Sequence, residues 1–123
     1  MTTALILFAH GARDPEWAGP MRRVQAAIRE RCPALPVELA FLEFIPPGLS
    51  DCVSALVGDG ADRVCIVPMF IAQGGHLKRE LPEMVERLRC AYPDVQFSLS
   101  GPIGEQESIV QAMAAAAMEL AGL

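Results

Sequence analysis

The chain has 123 residues, of which 52 % are apolar, and a formal net charge of −5 at neutral pH. That length suits one domain with a sizeable core, residues 1–123 together, and the apolar share is slightly high for that size, which points to a partner surface beyond the core. The acidic balance excludes a general nucleic-acid or anionic-membrane binder, and no stretch approaches the ~20 apolar residues that a membrane span needs.

In chain order, residues 3–9 are almost wholly apolar and end at a polar corner, His10-Gly11-Ala12-Arg13-Asp14-Pro15, so they predict a strand. Trp17, Met21, Val24 and Ile28 then recur at spacings of four, three and four, an amphipathic helix that ends near Cys32-Pro33. Residues 37–44 predict the second strand, with Glu43 at its end. Pro46-Pro47-Gly48 breaks the chain and launches a helix that buries Leu49, Cys52, Val53, Leu56 and Val57, closed by Gly58 and Gly60. Residues 63–71 predict the third strand, which runs into the Gly-rich corner Ala72-Gln73-Gly74-Gly75-His76-Leu77-Lys78-Arg79. A third helix is expected to start at Leu81-Pro82, because proline suits a first helical turn, with Met84, Val85 and Leu88 on its apolar stripe. Val95, Phe97 and Leu99 alternate with Gln96 and Ser98, a fourth strand. After the corner Gly101-Pro102-Ile103-Gly104, residues 109–120 form a closing helix, and the Ala-rich tail around Met113 and Met118 reads as docked on the domain.

Cys32, Cys52, Cys65 and Cys90 are widely spaced with no Cys-x-x-Cys pair. The start of the chain has no positively charged segment before its apolar run, which stops at His10, so no leader is expected. Reduced thiols in a cytoplasmic protein are the simplest reading.

The alternation βαβαβαβα implies an α/β fold with a parallel sheet and right-handed crossovers. The first and third strands are apolar on both faces and belong at the centre, covered on both sides. The second carries Glu38 and Glu43 and the fourth alternates, so both are edges. The expected architecture is three layers, a four-stranded sheet of order 2-1-3-4 with helices on both faces, flavodoxin-like. In such a sheet ligands bind beyond the carboxyl ends of the strands where the winding reverses, here between the first and third strands.

The chain's two histidines, His10 and His76, follow those two strands, and Glu43 follows the second; the spacings are both 33 residues, one βα unit each. Two imidazoles and a carboxylate make an open site for a divalent first-row metal. The bland alternative is that each histidine caps a loop by hydrogen bonds and Glu43 is merely solvated. Gly74 and Gly75 either turn the chain or admit a bulky ligand close to the backbone. Arg13, Lys78 and Arg79 lie within three residues of a histidine. Singly each is an ordinary solvated cation; together they form a positive mouth for a polycarboxylate, with guanidinium able to grip a carboxylate bidentately. Trp17 and the helical methionines read as core or interface. Nucleotide phosphate has no cradle, since neither Gly-x-Gly-x-x-Gly nor Gly-x-x-x-x-Gly-Lys occurs. Histidine phosphatases place an arginine immediately before the nucleophile, where this chain has Ala9.

Phe8-Ala9-His10-Gly11-Ala12-Arg13-Asp14-Pro15, Ala40-Phe41-Leu42-Glu43-Phe44 and the block from Val67 to Pro82 resemble the small sirohydrochlorin cobaltochelatases of the CbiX type. The likeness spans essentially the whole chain, and Gly101-Pro102-Ile103-Gly104 fits it too; Ala12 departs from a frequent serine. The resemblance implies a class II chelatase half-domain and insertion of a divalent metal, Co2+ or else Fe2+ or Ni2+, into the anionic tetrapyrrole sirohydrochlorin, a step of cobalamin or sirohaem biosynthesis. It implies metal binding by His10 and His76 joined by Glu43, no permanently bound cofactor, and a homodimer that rebuilds the cleft which larger chelatases form between two halves. The competing readings are a metal or tetrapyrrole carrier with the same ligands and no turnover, and a purely structural flavodoxin-like module.

Overall fold

The computed structural model describes residues 2–123. Its elements are β1 (Thr3–Ala9), a 3₁₀ turn (Pro15–Ala18), α1 (Gly19–Arg31), β2 (Val37–Phe41), α2 (Leu49–Gly58), β3 (Arg63–Pro68), α3 (Gly75–Ala91), β4 (Gln96–Leu99), a second 3₁₀ turn (Ile103–Glu105) and α4 (Glu107–Leu120). The four strands form one parallel sheet in the order β2-β1-β3-β4, as expected.

Two cores cover the two faces. On one, Ile6 and Phe8 of β1, Val64 and Ile66 of β3 and Phe97 of β4 meet α2 through Cys52, Val53 and Leu56, and α3 through Leu81, Val85 and Leu88. On the other, Leu7, Ala9, Val37, Leu39 and Phe41 meet α1 through the half-buried Met21, Val24 and Ile28. Alternate residues of β1 feed opposite cores, which is why its sequence is apolar throughout. Each large side chain so buried contributes on the order of 1.5–3 kcal/mol.

Several boundaries differ from the sequence expectation. β2 stops at Phe41, short of Glu43, and the backbone turns at Phe44, which takes a positive φ of 67°. β3 stops at Pro68, which has no N–H for the ladder. Trp17 lies on the 3₁₀ turn rather than on α1 and is exposed; Asp14 caps that turn by accepting a hydrogen bond from the Glu16 amide at 2.9 Å.

The largest correction is at α3, which begins at Gly75 and runs through Pro82. Proline inside a helix removes one backbone hydrogen bond and crowds the preceding turn; here it is exposed, while Leu77, Leu81, Val85 and Leu88 carry an unbroken buried stripe across it. His76, Lys78 and Arg79 therefore sit on a helix, where a flexible corner was expected. The second correction is at the C-terminus. Residues 107–120 are helical, but no α4 side chain is buried. The chain before α4 is tied to the end of β3, where the Gly104 amide donates to the Phe70 carbonyl at 2.9 Å, and α4 departs from that rim without folding back over the sheet.

Candidate functional site

The parallel ladder between β1 and β2 continues past both strand ends. The Leu42 amide donates to the Ala9 carbonyl at 2.9 Å, and the Glu43 amide donates to the His10 carbonyl at 3.0 Å. The first histidine and the carboxylate are thus joined through the backbone. Gly11, at φ +87°, permits that approach, because a Cβ there would collide with the Glu43 carbonyl oxygen. On its other side the His10 ring lies against Phe70, with centroids 4.4 Å apart and planes tilted by 36°. Phe70 is buried and follows β3. His10, itself exposed, thereby sits where the carboxyl ends of β1, β2 and β3 meet, the place the sheet's winding reverses.

Arg13 leaves the same corner and places its guanidinium 4.8 Å from the Phe44 ring centroid, a cation–π contact. At an exposed site this contributes about 0.5–1 kcal/mol. Arg13 and Phe44 share a shallow hollow of about 210 Å³ with Arg22. A guanidinium held over Phe44 at this corner can meet an incoming anionic group.

His76 is the second residue of α3 and is highly exposed; its Nε2 is 2.8 Å from Glu80 Oε2, one helical turn on. Gly74 caps the helix with no side-chain hydrogen bond, and no acidic residue stands in the first turn. The unsatisfied N–H groups there carry the positive end of the helix dipole, and Lys78 and Arg79 add two cations to it. That combination is poor for helix stability and good for an anion. His76, Arg79, Glu80, Glu83 and Arg87 line an open hollow of about 410 Å³ along one face of α3.

The structure therefore links His10 with Glu43, with Arg13 nearby, and gathers Gly74, Gly75, His76, Lys78 and Arg79 at the start of α3. Among the described residues, no three His, Cys, Asp or Glu side chains are grouped to hold a metal ion. As found, His10 rests on Phe70 and His76 pairs with Glu80. Those two partners escaped the sequence reading. The i,i+4 spacing of His76 and Glu80 signals their pairing only once α3 is known to start before Pro82, and Phe70 reads as an ordinary strand residue. The four cysteines stay apart; burial, with Glu38 nearby, pushes the Cys52 thiol up to about 11.

Comparison with known proteins bears on this rim. The CbiX family profile matches residues 4–120. The chain is 32 % identical over 117 residues to the sirohydrochlorin ferrochelatase of Bacillus subtilis, covering 92 % of this chain and 43 % of that protein. It is 29 % identical over 111 residues to the sirohydrochlorin cobaltochelatase of Saccharolobus solfataricus, covering 85 % of each. Among solved structures, a cobalamin-biosynthesis CbiX protein from Marinobacter aquaeolei superposes with a TM-score of 0.85 at 28 % identity, over 98 % of both chains. The cobalt complex of the sirohydrochlorin chelatase SirB from Bacillus subtilis superposes with a TM-score of 0.82 at 26 % identity, over 97 % of this chain and 51 % of that one. The chain thus spans about half of the longer relatives and most of the shorter ones. With a family match from β1 to the end of α4 and the same sheet in a full-length neighbour, the chain belongs to the CbiX family.

Proposed function

We infer that this chain is a chelatase that inserts a divalent metal into sirohydrochlorin, a lyase reaction belonging to cobalamin or sirohaem biosynthesis. The observation that carries the reading is the position of His10. In a chain of the CbiX family, an exposed imidazole stands at the switch point of the sheet, hitched to Glu43 by a backbone hydrogen bond. Residues 1–123 act as one chelatase-like α/β domain, in the cytoplasm, and as a homodimer whose second copy supplies the opposing wall of the cleft. No helix of the described residues is long and apolar enough to cross a membrane. Cobalt is the expected metal, with iron and nickel accepted, because histidine and carboxylate ligands follow general affinity rather than select sharply.

His10, Glu43 and His76 hold the incoming metal. An open set of two imidazoles and one carboxylate releases its ion more readily than a closed four-ligand site, which suits a metal that is substrate rather than resident. For His76 to join, its imidazole must give up Glu80; that contact is exposed, so breaking it costs little. Insertion exchanges two pyrrole N–H protons for one M2+. A neutral imidazole accepts such a proton through its free ring nitrogen. Arg13, Lys78 and Arg79 receive the macrocycle's carboxylates, and Gly74 and Gly75 leave room for it to approach the start of α3. No permanently bound cofactor and no covalent intermediate are needed; positioning supplies the rate.

The test is the visible absorbance of sirohydrochlorin incubated with the protein and cobalt, iron or nickel in parallel. Turnover well above the spontaneous rate with at least one metal is expected. Tight binding of metal or tetrapyrrole without turnover would replace the enzyme by a carrier.

A further inference from the structure

The shallow hollow beside the His10 corner gathers cations without an answering anion. Arg13 and Arg22 line it together with Pro15, Phe44, Ile45 and Pro46, in a volume of about 210 Å³, and no acidic side chain takes part. Two other hollows contrast with it. Along α3, Arg79 and Arg87 share the lining with Glu80 and Glu83, and beside Cys52 the lining includes Glu38, Asp51 and Asp59. Charges of one sign against an apolar wall focus their field into the space between them. In a chain of net charge −5, the Arg13 and Arg22 hollow is therefore a locally positive spot.

The fold uses neither guanidinium. Arg29 and Arg89 each hold a backbone carbonyl and a glutamate, whereas among the described residues the side chains of Arg13 and Arg22 have no hydrogen-bond or ion-pair partner. Arg22 also stands near the N-terminal end of α1, whose first turn has no acidic residue, so the helix dipole repels it there. Phe44 is the fixed part of the hollow. Its backbone takes a φ of 67°, an outlier for a bulky residue, and its ring belongs to neither core and is 55 % exposed. The Arg13 guanidinium lies over that ring, 4.8 Å from its centroid.

We propose that Arg22, together with Arg13 braced on Phe44, forms a carboxylate subsite at the edge of the metal rim, which grips acidic side chains of the macrocycle and favours tetrapyrroles that carry many of them. The proposal rests on the chelatase reading and adds Arg22 as a specificity residue and Phe44 as a positioning residue. Arg13 follows His10 by three residues and Phe44 follows Glu43 directly, so the subsite borders the groups assigned to the metal. A guanidinium presents a fork of donors that matches a carboxylate, and one already stacked on a ring loses less freedom when it binds. These groups meet the periphery of the macrocycle alike before and during insertion. They therefore act on KM and leave kcat alone.

Titration with metal-free porphyrins, followed by their fluorescence, tests the subsite without turnover. The wild type should bind uroporphyrin, with eight carboxylate side chains, more tightly than coproporphyrin, with four. Arg22→Gln should weaken uroporphyrin binding about fivefold, the upper end for an exposed ion pair, weaken coproporphyrin binding less, and flatten the dependence on salt. Arg23→Gln removes an exposed cation from the same helix outside the hollow and should change neither. Phe44→Ala should also weaken uroporphyrin binding, and Phe44→Tyr should restore it; a tyrosine that fails to do so removes Phe44 from the subsite. An Arg22→Gln protein that binds uroporphyrin as Arg23→Gln does, or a wild type with no preference between the two porphyrins, would overturn the proposal. In cobalt insertion, Arg22→Gln should raise KM at unchanged kcat. A wild type that binds uroporphyrin through Arg22 and turns nothing over removes only the chelatase reading. One that turns over sirohydrochlorin with a KM that Arg22→Gln does not move removes only the subsite.

Discussion

One added methyl group at Gly11 or Gly104 would press into a neighbouring backbone, against Glu43 in the first case and Ile71 in the second. Gly11 also sits at φ +87°, where alanine is strained whatever the space. Gly11→Ala and Gly104→Ala should each lower stability by about 1–3 kcal/mol in urea unfolding; values under ~0.5 kcal/mol would show that the loops yield. The pair of His76 and Glu80 lies at the opposite extreme. It is exposed and local, so Glu80→Ala should shift stability by no more than ~0.5 kcal/mol, and a larger loss would mean that the contact braces the helix. Cys52 is buried, and its thiol is raised from an ordinary value of 9.0 to about 11. A raised pKa means that the folded state holds the proton longer than the unfolded chain does. The associated stability is intact below pH 9 and declines as pH rises towards about 11. At pH 8 a thiol reagent should label Cys32 and Cys90 and spare Cys52 until the protein unfolds. His10, Glu43 and Arg13 were legible as a corner group because chain order alone sets them at adjoining strand ends. Phe70 under His10 was not legible, since a buried aromatic in an apolar strand gives no sign of which ring it will touch.

At the scale of elements, α3 is where local sequence signals and the fold disagree. Pro82 reads as a helix start, and the glycines before it read as a loop. The buried stripe Leu77, Leu81, Val85 and Leu88 overrides both, and the helix begins seven residues earlier than Pro82. Restoring the missing donor with Pro82→Ala should raise stability, on the order of 1–3 kcal/mol, read as a higher urea midpoint with an unchanged slope; a loss would mean that the proline fixes the entry of the helix. The strands were read more faithfully. β1 was legible to both ends because its apolar run stops at a polar residue. The sequence overextends β2 and β3, because apolar residues continue past Phe41 and past Pro68, where the strands end. α4 was legible as a helix through its alanine content. Its lack of any buried side chain was not, since an apolar stripe does not say where a helix will sit.

At the scale of the molecule, the order β2-β1-β3-β4 follows from which strands are apolar on both faces, and that order brings the loop that carries His10 and the start of α3, which carries His76, to one end of the sheet. The proposed metal handling at this end would require His76 to turn from Glu80 and His10 to remain accessible above Phe70. The initial rate of cobalt insertion into sirohydrochlorin, with the spontaneous rate subtracted, tests this most directly in the wild type, His10→Ala, His76→Ala and the double variant. Both histidines are exposed and outside the cores, so all four proteins should unfold at the same urea concentration, while each single substitution brings insertion down to the background. A folded double variant that inserts cobalt as fast as the wild type would contradict the account.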